Sequence, residues 1–131
     1  MEVITISNQN KTKTLKRFIG DSGEDAAVKK LEGEGYRILA RNYEIHNVGE
    51  LDIVAEKDSD IHVFEVRTRL NRGNYPNSEE SVTKSKRTKV MKTAEFFIAR
   101  NDLYDRNIVF EVIKVTHDAQ GNILGVEIIP F

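Results

Sequence analysis

Apolar and polar residues follow two different spacings along the chain. Between residues 15 and 33 the apolar residues Ala27, Val28 and Leu31 are three and four positions apart, which predicts one buried face of a helix. The same spacing predicts a second helix over roughly residues 83–100. Apolar and polar residues alternate over residues 36–45, as in a strand, whose successive side chains point to opposite faces. The predicted strands cover residues 36–45, 50–55, 61–68, 107–116 and 123–129.

The order of these elements is helix, three strands, helix and two strands. It predicts an α/β or α+β fold in which a mixed sheet of about five strands is flanked by helices. Residues 1–14 are expected to form a tail or a short strand, and residues 15–131 a single domain, which suits a chain of 131 residues. Ser22 is the expected cap of the main part of the first helix. Residues 70–81 are expected to form a loop.

Composition excludes several classes of protein. The chain has no cysteine, so it has neither disulfides nor thiolate metal sites. It shows no long apolar core of a signal peptide and no run that approaches the ~20 apolar residues of a membrane span. We therefore expect a cytoplasmic protein that does not act at a membrane. The net charge is −1, so any contact with nucleic acid must depend on a local basic patch.

Acidic residues interrupt the apolar pattern in the segment GELDIVAEKDSDIHVFEVRTR, residues 49–69. A turn centred between Asp58 and Ser59 would join its two strands and fix the residues that face each other. The pairs would be Val54 with Val63, Asp52 with Glu65 and Glu50 with Arg67, all on one side of the sheet. Directly opposed carboxylates destabilise a strand pair.

Two interpretations of these acids remain open at this point. They could form the solvated face of an amphipathic hairpin, in which Glu50 and Arg67 make an ordinary ion pair. Alternatively they belong to a site, because Glu24 adds a third acid on the helix face that should be buried. A buried carboxylate needs a cation or a hydrogen-bond network. Three converging acids would suit Mg²⁺ or Mn²⁺, which prefer oxygen ligands.

Several motifs make the chain similar to a known family. In order they are GDSGEDAAVKKL, GYRILARN, GELDIVA, FEVRTR, SVTKSKRTKV, FEVIKV and the closing IIPF. From about Gly20 to Phe131 the sequence resembles the uncharacterised bacterial YraN-type family, which has the restriction-endonuclease-like fold. The wider superfamily includes archaeal Holliday-junction resolvases and many other nucleases. The resemblance therefore implies a metal-dependent nuclease-like protein.

The resemblance also implies roles for individual residues. Glu24 would be the helix-borne acid and Asp52 the acid of the central strand. Glu65-Val66-Arg67 matches the E-x-K element of the family, with arginine in place of lysine. Glu24, Asp52, Glu65 and Arg67 would thus be the catalytic set, with the three acids as ligands of Mg²⁺ or Mn²⁺. Glu111 stands where relatives tend to have aspartate, a difference that we assign to structure.

Arginine at position 67 changes the expected chemistry. The lysine of the family would position the attacking water or help to deprotonate it, whereas arginine stays protonated in proteins. Arg67 can still bind two oxygens of a phosphate. The segment from Ser81 to Ala94 contains five basic residues and no acid. The residues expected to contact nucleic acid are Arg69, Lys84, Lys86 and Arg87.

Three functions are compatible with the sequence. The first is a metal-dependent endonuclease that acts on DNA, including branched or otherwise structured DNA, with RNA as a further substrate class. The second is a nucleic-acid-binding module that keeps the fold but has lost cleavage, because Arg67 replaces the lysine. The third is a protein-interaction scaffold whose acids only pair with its arginines. By analogy of fold a homodimer is also expected.

Overall fold

Two helices and five strands follow one another in the predicted order. The computed structural model describes residues 14–71 and 82–131. The elements are α1 (Leu15–Gly33), β1 (Arg37–Ile45), β2 (Gly49–Lys57), β3 (Asp60–Leu70), α2 (Lys84–Arg100), β4 (Ile108–His117) and β5 (Ile123–Pro130). The expected tail or strand at residues 1–13 lies outside the described residues, as does the predicted loop from residue 72 to residue 81.

The five strands form one mixed sheet in the order β1-β2-β3-β4-β5. Strands β3 and β4 are parallel, and the other neighbours are antiparallel. A parallel neighbour needs a long crossover connection, and here α2 lies between β3 and β4 in the chain. The predicted five-stranded mixed sheet with flanking helices is confirmed.

Each helix covers one face of the sheet with its own hydrophobic cluster. Ala27 and Leu31 of α1 pack against residues of the central strands, including Ile53, Phe64 and Ile113. We call this the α1 cluster. The α2 cluster, on the other face, consists of Leu51, Val54, Ile61, Val63, Val90, Ala94 and Phe97. Both faces of the central strands are thus buried, as expected for strands between two helical layers. No helix in the described ranges has the length and apolar character needed to cross a bilayer.

Helix α1 is one continuous helix that begins at Leu15. Its N-cap is Thr14, whose side chain accepts a hydrogen bond of 3.1 Å from the Arg17 amide. The prediction that Ser22 caps the main part of the helix is therefore wrong, because Ser22 lies in the helix interior. After the helix the chain turns through Gly35, whose φ of +94° favours glycine.

Strands β2 and β3 meet in the turn that the sequence predicts. Lys57 pairs with Asp60, and the two residues between them, Asp58 and Ser59, have φ values of 51° and 75°. Two residues with positive φ are typical of the tight turn whose twist matches a hairpin. The predicted register holds from this turn through Val54–Val63 to Ile53–Phe64.

Candidate active site

The strands of the hairpin separate next to Asp52. The last paired residues are Ile53 and Phe64. One step further, the backbone N–H of Val66 donates a hydrogen bond of 2.8 Å to Oδ2 of Asp52. A side-chain carboxylate thus takes the place of a strand carbonyl as acceptor. This substitution lets the two strands diverge and places the Asp52 carboxylate in the gap between them.

The alternation of side chains also breaks at Asp52. Leu51 belongs to the α2 cluster and Ile53 to the α1 cluster, although residues two apart in a regular strand share a face. On the neighbouring strand, Asn42 has a φ of 50°, and its neighbours Arg41 and Tyr43 pair with Ile53 and Leu51. The prediction that the acids and valines of this hairpin all point to one side is therefore wrong here. The irregular backbone of β1 at Asn42 and the break in alternation on β2 change the direction of the Asp52 side chain.

The carboxyl groups of Asp52 and Glu65 lie together, as the sequence predicts. They are hydrogen-bonded to each other, and the side chain of Glu65 is only 11% exposed. Burial is the main reason why the pKa of Asp52 lies above its ordinary value. Burial and then the charge of Asp52 raise the pKa of Glu65. The pair therefore holds a proton more readily than exposed carboxylates do.

Two further acids surround Asp52. The pKa of Glu24 is raised by burial and then by the charge of Asp52. The same two causes raise the pKa of Glu50, whose register partner is Glu44 on β1. Glu50 lies beyond the last paired residues of β2 and β3, so the predicted cross-strand pair with Arg67 is not part of the ladder. Asp52 is the centre of a group of four acids.

Glu24 also contacts two residues of β1. Its Oε1 lies 3.7 Å from Nη2 of Arg41, which also contacts Asp25 at 2.9 Å. The side chain of Asn42 hydrogen-bonds to Glu24 and lowers its pKa in opposition to burial. Within residues 14–71 and 82–131, no three acidic or histidine side chains are arranged as a ready ligand set for a metal ion.

The chemistry of the Asp52–Glu65 pair nevertheless fits a hard divalent cation. Two half-buried carboxyl groups offer the oxygen donors that Mg²⁺ and Mn²⁺ prefer. Mg²⁺ commonly keeps several waters and binds through one or two carboxylates plus phosphate. A cation would also relieve the repulsion that now favours protonation of the pair. Asp52 and Glu65 are thus the residues that would hold it, with Glu24 beside them.

Lys86 brings a positive charge to this pair. Its Nζ lies 3.3 Å from Oε2 of Glu65. Its charge opposes burial at three acids, because it lowers the pKa of Glu50, Asp52 and Glu65. Lys86 lies in the first turn of α2, and its amide donates a 3.1 Å hydrogen bond to the N-cap Thr83. The sequence identified Lys86 as a phosphate contact and did not place it at the acids.

Two glycines let the helices approach the acid-bearing strands. A Cβ on Gly49 would lie 2.6 Å from Oγ1 of Thr93 and 3.3 Å from the carbonyl oxygen of Lys89. A Cβ on Gly23 would lie 2.4 Å from Oγ1 of Thr68. Real side chains do not tolerate such distances without movement. These glycines therefore set the positions of α2 and α1, and with them those of Lys86 and Glu24.

Two of the other predicted basic residues donate hydrogen bonds to main-chain oxygens outside the acid pair. Arg87 donates a hydrogen bond of 2.7 Å to the main-chain oxygen of Phe131 and lies over its ring. Nη1 of Arg69 donates to the carbonyl of Thr68 at 3.1 Å. Lys84 is exposed at the start of α2. Arg67 is half-buried on β3, and its charge lowers the pKa of Glu65 less than Lys86 does.

Glu111 has a structural role in the contact between β4 and β3. Its Oε1 lies 2.8 Å from Nδ1 of His62, and the His62 ring meets Tyr36 edge-on and stacks on Phe64. A longer glutamate side chain thus reaches across from β4 to β3. This contact agrees with the expectation that the difference from relatives at Glu111 concerns structure.

The chain belongs to the UPF0102 family. The family model described as "Uncharacterised protein family UPF0102" matches residues 23–115, which confirms the resemblance to the YraN-type family. A UPF0102 protein of Persephonella marina is 38% identical over 99 residues, which cover 76% of this chain and 84% of that protein. A UPF0102 protein of Moorella thermoacetica is 39% identical over 114 residues, which cover 87% of this chain and 93% of that protein.

Solved structures show more distant likeness. An FdxN element excision controlling factor protein from Anabaena variabilis has a TM-score of 0.36 and 13% identity, and the match covers 81% of this chain and 98% of that one. SfsA of Pyrococcus furiosus, solved in complex with Ca²⁺, has a TM-score of 0.37 and 16% identity, with coverage of 83% and 62%. At these scores neither neighbour supports a function for this chain.

Proposed function

We propose that this protein binds the phosphate backbone of DNA and hydrolyses phosphodiester bonds at the Asp52–Glu65 pair with Mg²⁺ or Mn²⁺. The observation that carries the proposal is the pair itself. Two carboxyl groups lie hydrogen-bonded in a gap between strands, where burial raises the pKa of both. Removing two carboxyl groups from water costs stability unless a cation or hydrogen bonds compensate, and acids with pKa values shifted in this way are typical of functional sites.

The residues around the pair have distinct tasks in this reaction. When bound, the cation would lower the pKa of a water and stabilise charge on the phosphate. The Val66 amide fixes the orientation of Asp52. In the hydrolysis a water oxygen bonds to phosphorus, the bond from phosphorus to the leaving sugar oxygen breaks, and that oxygen takes up a proton. Arg67, which is always charged, serves to bind a phosphate oxygen.

Basic residues at the start of α2 support a nucleic-acid substrate. Lys84, Lys86 and Lys89 lie in the first turns of the helix, and Lys86 contacts Glu65 of the acid pair. A polymer of phosphates can bind the lysines and present one phosphate to the acids at the same time. The proposal includes structured DNA and RNA as substrates and action as a homodimer in the cytoplasm.

Binding without cleavage is the second candidate function. It is favoured by Arg67, because the E-x-K element loses its lysine and arginine cannot transfer a proton. In that case the acids, the cation and the basic residues would serve recognition of nucleic acid only.

Cleavage assays separate the two functions. Single-turnover reactions with duplex, single-stranded and four-way-junction DNA in Mn²⁺ should show cutting by the wild type and none by Asp52→Asn. The proposed hydrolysis is wrong if both proteins leave every substrate intact. Binding measured on the same DNA in Mn²⁺ then decides whether the second function holds.

A further inference from the structure

We propose that Lys86 is the positioning lysine of this site and takes the role that the E-x-K element assigns to residue 67. It holds the Glu65 carboxylate and, with substrate bound, orients the attacking water beside that carboxylate. This inference rests on the proposed function. It also gives the two basic residues near Glu65 different roles: Lys86 orients the attacking water, and Arg67 binds a phosphate oxygen.

Distance is the first observation in favour of Lys86. Its Nζ lies 3.3 Å from Oε2 of Glu65, and its side chain is 48% exposed, so the ammonium reaches the pair from the open side. A substrate and its water must arrive from that same side. An ammonium carries three rotatable donors on a flexible stem, so it can hold Glu65 with one donor and a water with another.

The reach of its charge is the second observation. Lys86 acts on Glu50, Asp52 and Glu65, whereas Arg67 acts on Glu65 and does so more weakly. Lys86 is thus the cation shared by the acids. Arg67 follows Glu65 by two residues on β3, whereas Lys86 reaches Glu65 from helix α2.

The fold also fixes the approach of Lys86. The carbonyl of Lys89 lies against Gly49, the residue directly before Glu50. Lys86 precedes Lys89 by three residues and so lies about one turn earlier on the same side of α2. The capped first turn of α2 holds the backbone of Lys86 in place. Lys86 therefore contacts Glu65 from helix α2, whereas the lysine of an E-x-K element would approach this carboxylate from β3.

Four proteins test this role by single-turnover cleavage in Mn²⁺: the wild type, Lys86→Ala, Arg67→Lys and the double variant. Lys86→Ala should reduce cleavage by about 10²-fold or more, within the range of a positioned acid–base group. Arg67→Lys in the Lys86→Ala background should recover at least about tenfold of that loss, because it returns a lysine to the strand. Lys92→Ala, which changes an exposed lysine further along the same helix, is the matched control and should cut like the wild type.

Mn²⁺ affinity measured by calorimetry provides a readout that does not depend on cleavage. Removal of the ammonium beside Glu65 in Lys86→Ala should tighten Mn²⁺ binding several-fold, whereas Lys92→Ala should bind Mn²⁺ with the affinity of the wild type. Cleavage by Lys86→Ala within about threefold of the wild type would overturn the role of Lys86 while the proposed function stands. If the wild type binds Mn²⁺ but does not cut, the proposed hydrolysis is wrong and so is the water-orienting role of Lys86. No Mn²⁺ binding by the wild type overturns both proposals.

Discussion

Burial of Asp52 and Glu65 makes the stability of the protein depend on pH. Below their ordinary pKa values of 3.8 and 4.5, both carboxyls are protonated in the folded and the unfolded chain, and the pair has no pH-dependent effect. As the pH rises past these values the unfolded chain loses protons first, because the folded pKa values are raised. The pair therefore lowers the free energy of unfolding progressively until it has ionised in the folded state too.

Asp52→Asn should remove most of this fall in stability. An amide cannot ionise, so the repulsion with Glu65 disappears at neutral pH. Urea unfolding of the two proteins, measured from about pH 4 to about pH 8, should give curves that converge in acid and diverge toward neutral pH, with the variant more stable. Asp105→Asn, an exposed acid in the loop before β4, is the control. Parallel curves for wild type and Asp52→Asn would contradict the buried pair.

The sequence predicted which acids come together but not how. Counting from the turn at Asp58 and Ser59 paired Asp52 with Glu65, because a two-residue turn fixes the register. The count could not show that the carboxylate of Asp52 replaces a backbone acceptor and separates the strands. In that exchange the Asp52 carboxylate competes with a strand carbonyl for the N–H of Val66, and the outcome depends on the folded environment.

The close packing of α2 on β2 is the element-level feature that the site requires. Gly49→Ala should destabilise the protein by about 1–3 kcal/mol, the usual cost of overpacking. The backbone carbonyl of Lys89 lies 3.3 Å from the new Cβ, so the helix must move to accept it. Urea unfolding measures the effect, and Gly125→Ala on β5, where a Cβ meets nothing within 4 Å, is the control. Equal stability of the two variants would show that α2 can shift freely over Gly49.

Helices and strands were predictable because their spacing reflects burial on the two faces of the sheet. The position of α2 relative to the acids was not predictable. It depends on the absence of a Cβ at Gly49, next to Thr93, which the spacing of apolar residues does not reveal. The only signal for Lys86 was the acid-free basic run from Ser81 to Ala94. That run indicated a contact with phosphate and could not reveal the contact with Glu65.

At the scale of the whole molecule, the net charge of −1 means that overall charge does not draw the protein to nucleic acid. The proposed binding therefore depends on local basic residues, among them those at the start of α2, and its salt dependence should reflect a few contacts. Lys84→Ala should flatten the slope of log affinity against log salt by about 0.9, the value per phosphate contact on duplex DNA. Lys92→Ala, on the same helix but further from the acids, should leave the slope unchanged.

Fluorescence anisotropy of labelled duplex and junction DNA over a salt series measures these slopes. Identical slopes for the wild type and both lysine variants would place these lysines on an ordinary solvated helix face. The third function suggested by the sequence, a scaffold for protein interaction, would then gain support.

Calorimetric titration of Mn²⁺ into the metal-free protein addresses the proposed cation site without a substrate. The wild type should bind one Mn²⁺ or more per chain, and Asp52→Asn should bind at least about tenfold more weakly, a difference of about 1.4 kcal/mol. Asp105→Asn should bind like the wild type. Failure of the wild type to bind Mn²⁺ at millimolar concentration, or equal affinity of Asp52→Asn, would contradict a metal-dependent role for the Asp52–Glu65 pair.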